Sequence, residues 1–224
     1  MSLGANSGLW RRRRWKDPMR NKYAVLLTRA IASTFFLIPA IGFTQPAERP
    51  IFKIGDSWAW VTTDNLTKRE IEKLKLTVTE VNVNGIQLKK GDEAGASVTW
   101  DKEGRFVSDK TTGASWDLTG GTPWPLAIGK RWKTEYSWVN KEGGTGKTID
   151  EAEVVSVEDV TTSVGTFKAI KYVQKGYFNN RTTGFSGHQS STRWYVPELR
   201  TLIKYTYDDG YNRTTSELIS AKVE

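Results

Sequence analysis

The 224-residue chain predicts an all-β fold, an antiparallel sandwich or open barrel of about ten strands built from two similar β-units. Three observations carry that reading. Apolar and polar residues alternate with period two along most of the chain after residue 45. Glycine-bearing turn signals punctuate those runs at short intervals. No stretch holds a helical period long enough to compete with them.

The first element is "SWAWV", which places Trp58 and Trp60 on one strand face. "DNLTKREIEK" at 64–73 fits one helical turn or extended chain equally well. "LKLTV" at 74–78 alternates again, with Leu74, Leu76 and Val78 together. Asn84-Gly85 and "DKEG" at 101–104 then read as tight turns. The clearest strand is 132–138, with Trp132, Thr134, Tyr136 and Trp138 on one face and Lys133, Glu135 and Ser137 on the other. That is the signature of an antiparallel strand with one buried face. "KEGGTG" at 141–146 and Asp209-Gly210 supply two later turns.

The order of elements repeats. "KIGDSWAW" at 53–60 returns as "AIGKRWKTEY" at 127–136, and "SVTWDKEGRFV" at 97–107 resembles "STRWYVPELRTLI" at 191–203. Duplicated units, about 53–107 and 127–221, whose apolar faces close on each other explain this economically. Extra length in the second copy falls in loops expected at 140–147 and 177–189. The residues from 45 to 224 form one β-rich domain.

The formal charge is +8, but its position removes a nucleic-acid reading. Residues 1–42 hold eight Lys/Arg and one acid, Asp17, whereas the remaining 182 residues hold 25 Lys/Arg against 24 Asp/Glu. Basic excess confined to one terminal segment is a targeting signature. There, basic residues precede an apolar run from Ala30 to Phe43 and small residues near Ala40 and Gly42. Residues 1–44 are therefore expected to be an export signal, with Met19 a candidate start. The apolar run is shorter than the ~20 residues that span a bilayer, so no stable membrane span is expected after processing. Mature protein would be periplasmic or secreted.

The absence of Cys excludes disulfides, thiolate catalysis, Cys-ligated zinc and lipid attachment to an N-terminal Cys. "GGTGKT" at 143–148 lacks the Gly of a phosphate-binding loop at Lys141, and a Val-rich strand follows it where that motif needs a helix. It reads as a hairpin. His188, the single His, lies in the Gly/Ser stretch "GFSGHQSS", where a solvated side chain is the simplest expectation. Glu151 and Glu153 share a solvated face, and Asp208 and Asp209 belong to a turn. No catalytic, cofactor-binding or metal-ligating residue is assigned, and no cofactor is implied.

"VEDVTTSVGTFKAIKY" at 157–172, followed by "TRWYVPELRTLIKYTYDDG" and "SELISA", resembles the C-terminal part of uncharacterised exported β-rich families of Gram-negative bacteria, over about 157–221. The resemblance implies export and a β-rich fold and brings no catalytic residues. Leu199-Arg200 stands where those families place a Gly.

Trp194 repeats the position of Trp100 and so reads as core. Tyr195 must then face the other way, into solvent or under a loop, and either Tyr205 or the opposite-facing Thr206 lies beside it, depending on register. Trp124, in "TPWPL", and Trp116 lie outside the clear strands. Tyr195, Tyr205, Trp124 and Trp116 are the candidate ligand-facing aromatics. The functional expectation is an exported, non-catalytic envelope module, its partner an envelope component or polysaccharide. Two alternatives remain open: an envelope hydrolase with carboxylates from distant strands, and a small-ligand carrier with an apolar cavity between the two halves.

Overall fold

The computed structural model describes residues 46–224. The expected export segment, 1–44, lies outside them. Twelve antiparallel strands run in chain order: β1 Ser57–Asp64, β2 Glu70–Asn82, β3 Gly85–Lys90, β4 Val98–Trp100, β5 Phe106–Asp109 and β6 Ala114–Thr119; then β7 Arg131–Val139, β8 Thr145–Thr162, β9 Gly165–Asn180, β10 Ser186–Val196, β11 Thr201–Asp208 and β12 Arg213–Lys222. A single 3-10 turn, Pro197–Leu199, separates β10 from β11.

Each strand pairs with its chain neighbours, and β1 pairs with β12 from Ser57↔Lys222 to Asp64↔Thr214. The result is a closed barrel, which corrects the expected sandwich or open barrel of about ten strands. Closure satisfies the backbone donors and acceptors that edge strands would leave exposed. Bulges help the sheet coil, among them those at Ala59/Trp60, Val78/Glu80 and Val154/Ser156.

Local patterning accounts for most elements. In β7, Lys133 and Glu135 point outward and pair with Glu151 and Lys147 on β8. The ambiguous stretch resolves as a turn tied by Asp64, whose side chain accepts from the Leu66 and Thr67 amides, and then as the start of β2. Two expectations fail. Trp116 lies within β6, a strand that the sequence does not announce. His188 is not in a loop but in β10, and β9 extends to Asn180, so most of 177–189 is hairpin strand. Gly and Ser in that segment hid a pairing that the neighbouring strand imposes.

Two apolar clusters anchor the barrel. Trp58, Leu76, Val78, Ile86, Leu88 and Val98 pack with Ala169, Val196, Ile203 and Leu218. Those residues come from β1 to β4 and β9 to β12, the two runs of strands that meet at the β1–β12 seam. Val160, Val164 and Phe167 at the tip of the β8–β9 hairpin pack on this cluster. The second cluster joins Ala47, Leu126, Val154, Ile170 and Tyr195. Trp58 is 1% exposed. Trp132 is half-buried on the second cluster, so the two matched tryptophans sit in different surroundings.

Candidate functional site

A cavity of about 710 Å3 occupies the barrel, and all twelve strands contribute to its wall. The period-two pattern supplies that wall directly: Leu74 and Leu76 on β2, Trp116 and Leu118 on β6, Trp132, Thr134 and Tyr136 on β7. One part of the wall is aromatic. Trp116 stacks on Tyr136 at 5.1 Å and meets Phe106 edge-on at 5.3 Å. Trp60 and Trp100 flank Trp58, with ring centroids 6.4 and 5.9 Å away. Their orientation is fixed by hydrogen bonds: Trp58 Nε1 donates to the Leu199 carbonyl at 2.8 Å and Trp60 Nε1 to that of Leu202 at 2.9 Å.

Another part is polar. The Arg193 guanidinium lies 5.0 Å from the centroid of Tyr205 and 6.0 Å from that of Tyr172. Burial alone would lower its pKa; the tyrosines Tyr172, Tyr205 and Tyr136 around it outweigh that, and the group stays charged. Asp150 is buried and accepts from Gln189 Nε2 at 2.9 and 3.2 Å. Burial pushes its carboxyl up, against the opposing pull of Gln189 and Arg193. Gly176, directly opposite Asp150 on β9, makes this packing possible, because a Cβ there would collide with the Asp150 carboxylate. Lys90 pairs with Asp109 at 3.0 Å; burial raises the Asp109 pKa, and the Lys90 ammonium and the Thr111 amide more than offset this.

The buried side-chain polar atoms left without a partner among the described residues are Trp124 Nε1, Thr134 Oγ1, Gln174 Oε1, Arg193 Nε and Tyr195 OH. All five residues line this one cavity. Unpaired buried polar groups are costly in a core, and these five converge on one wall, which makes that wall the candidate site.

All four sequence-nominated aromatics, Tyr195, Tyr205, Trp124 and Trp116, lie on the cavity wall. Trp124 meets Tyr195 edge-on at 5.5 Å, reaching it from its loop. The expected exposed face does not form, however. Tyr195 is 6% exposed, and burial pushes its phenol pKa up. Trp194, expected in the core, takes the opposite face of β10, half-buried against the first apolar cluster and beneath Lys171 and Lys204, with Nε1 donating to Glu158 at 2.7 Å. The extra residue Ile203 shifts the register, so Tyr195 faces Leu202 and it is Arg193 that faces Tyr205. Trp116 is 36% exposed and stands at the edge of the wall.

Sequence reasoning missed Arg193 and Asp150. Both were legible through alternation: Arg193 shares a strand face with Tyr195, and Asp150 lies opposite in phase to the solvated Glu151 and Glu153. His188 is exposed and lies against the Tyr177 ring at 5.7 Å, away from the wall. A Ser-His or His-metal arrangement therefore has no place in the cavity. Asp208 and Asp209 accept the amides of Gly210, Tyr211 and Asn212, as turn residues do. Among the described residues no helix is long and apolar enough to cross a membrane, and no cluster of three metal-ligating side chains occurs.

No family model and no curated protein matches the chain. Solved structures do. A candidate lipoprotein from Parabacteroides distasonis ATCC 8503 superposes with a TM-score of 0.51 at 13% identity, covering 80% of this chain and 100% of its own. A candidate exported protein with a YmcC-like fold, from Bacteroides fragilis NCTC 9343, gives 0.52 at 12% identity with the same coverage. The likeness to exported β-rich bacterial proteins seen over 157–221 thus extends, as a shared fold, across four-fifths of the chain.

Proposed function

We propose that the protein is exported to the bacterial envelope and binds a small molecule inside its barrel, acting as a carrier or receptor. The observation that carries this reading is the cavity of about 710 Å3 with every unpartnered buried polar side-chain atom of the described residues on its wall. That size lies within the ~300–1,000 Å3 typical of small-molecule sites, as does the mix of an apolar lining with a few convergent polar groups. The polysaccharide partner expected from exposed rings is less well supported, since Tyr195 is buried. Carrier function replaces it.

Export is supported by the signal-like order of residues 1–44 and by the fold shared with a candidate exported protein. The outward charge pairs Arg131–Glu153, Lys133–Glu151 and Lys168–Asp159 suit water better than the apolar band that a membrane barrel turns to lipid. Mass spectrometry of protein from the native envelope should find a mature N-terminus between Phe43 and Glu48; an intact 1–42 segment there would overturn export with cleavage. Native mass spectrometry of the same material, followed by solvent extraction, should release a small molecule in stoichiometric amount. Extraction of nothing, together with no thermal shift from a broad metabolite set, would defeat the carrier reading.

A further inference from the structure

The wall of the cavity has a charge imbalance that narrows the ligand. Its basic side chains mostly have acids of their own: Lys90 holds Asp109 at 3.0 Å, Arg105 holds Asp101 at 2.6 Å, Arg200 holds Asp56 at 2.6 Å, and Lys204 holds Glu217 at 2.8 Å. Arg193 differs. Among the described residues no carboxylate comes within 4.0 Å of its guanidinium, and its Nε is buried without a partner. The nearby Asp150 is engaged by Gln189. The guanidinium is half-buried on the cavity wall, and Asp150, whose carboxyl it pulls on, lies beyond ion-pair distance, so an anion in the cavity would complete its pairing.

The other unpartnered atoms agree. Trp124 Nε1 and Arg193 Nε can only donate, and the hydroxyls of Thr134 and Tyr195 can donate. Only Gln174 Oε1 is an obligate acceptor. Four of these five atoms thus ask for a ligand rich in acceptors, and a carboxylate or phosphate is the densest such group. Tyr172 and Tyr205 hold the Arg193 fork between their rings, so the site is oriented before anything binds. Elsewhere on the wall, between charged side chains that are mostly paired with one another, stand Trp60, Leu74, Trp100, Phe106 and Trp116, which would favour an apolar body.

Building on the carrier reading, we infer that the barrel takes an anionic amphiphile, its carboxylate or phosphate head on Arg193 with Tyr195 and Trp124 as further donors, and its apolar body against Trp60, Leu74, Trp100, Phe106 and Trp116. Arg193 is then the specificity-determining residue. The guanidinium selects charge sign, and the aromatic wall selects an apolar body.

Calorimetric titration of the purified full chain with four ten-carbon probes tests this: decanoate, decyl phosphate, decanol and decyltrimethylammonium. The anions should bind at least about tenfold more tightly than decanol, as one charge-assisted contact implies, and the cation most weakly. The better of the two anions identifies the head group. Arg193→Gln should erase the preference for anions over decanol; Arg193→Lys should keep part of it. Should Arg193→Gln fail to fold, the wild-type probe series and Arg193→Lys still decide. Equal affinity for decanol and both anions would overturn the head-group assignment while leaving a carrier of neutral ligands. An anion preference that survives in Arg193→Gln would place the head elsewhere. No binding by any probe would overturn both readings.

Discussion

Arg200 donates from Nη1 to both carboxylate oxygens of Asp56, at 2.8 and 2.6 Å, across 144 positions of chain. Asp56 is fully buried, and it also accepts from the Lys53 amide at 2.9 Å and the Glu224 amide at 2.8 Å. Arg200 donates in turn to the Glu224 carbonyl at 2.9 Å. One carboxylate therefore ties the entrance to β1, the turn after β10 and the end of β12, which is the seam where the barrel closes. Arg200 sits at φ +56°, the left-handed region that glycine prefers. Arg200 thus adopts a glycine-like conformation where the resembling families place a Gly.

Removing either partner should be severe, because it strands a buried charge. Asp56→Asn and Arg200→Gln are each expected to lower unfolding free energy by about 3–5 kcal/mol in urea titration. Arg200→Gly should lose less than Arg200→Ala, by about 1 kcal/mol, since glycine relieves the positive φ. Equal losses for those two variants would show that the backbone strain is unimportant.

Trp58 and Trp132 should separate in stability. Trp58 is sealed among Phe52, Trp60 and Trp100, so Trp58→Ala should cost about 3–5 kcal/mol. Trp132 borders the cavity, and its loss opens less new void, so Trp132→Ala should cost less. Lys133→Ala, on the solvated face, should stay within about 0.5 kcal/mol. Denaturant midpoints in that order would support the assignment of faces.

Tyr195 offers a test of burial against hydroxyl pairing. Tyr195→Ala should destabilise by about 3 kcal/mol, because the ring is core. Tyr195→Phe removes only a buried hydroxyl that lacks a partner, and so should leave the melting temperature unchanged or raise it. A marked loss in Tyr195→Phe would mean that the hydroxyl is paired in solution.

The pH dependence of stability should carry the mark of Asp150. Its folded carboxyl is held above the ordinary range, first by burial, with Gln189 and Arg193 opposing. The folded state therefore favours the protonated form. This contribution is fully present below the unfolded pKa and is lost as pH rises through the raised folded value. Asp150→Asn should remove that decline, so the variant gains on wild type as pH rises from acid to neutral. Parallel stability curves for the two proteins would contradict the burial argument. Asp109, held low by Lys90 and the Thr111 amide despite burial, acts in the opposite sense and is common to both proteins.

Much of the barrel was legible one strand at a time. Trp132, Thr134 and Tyr136 were read as one buried face, and they line the cavity. Glu151 and Glu153 were read as solvated, and they meet Lys133 and Arg131 outside. Alternation reports these facts because the side-chain period of a strand is local and fixed. Alternation does not report which of two ring-bearing faces turns inward. Trp194 and Tyr195 are both aromatic; the repeat points to Trp194 as the inward ring, and the strands on either side turn Tyr195 to the cavity instead.

The all-β class, the turns and the division of most strands into two faces follow from the residues alone. Closure, the burial of Tyr195 and the meeting of Arg193 with Tyr205 emerge only once the strands pair. The reason is range. A strand's faces follow from its own residues, whereas the β1–β12 seam joins segments at opposite ends of the described chain. The cavity wall likewise draws on every strand at once, and the register of its β10–β11 part depends on one extra residue, Ile203, whose effect appears only when those two strands pair.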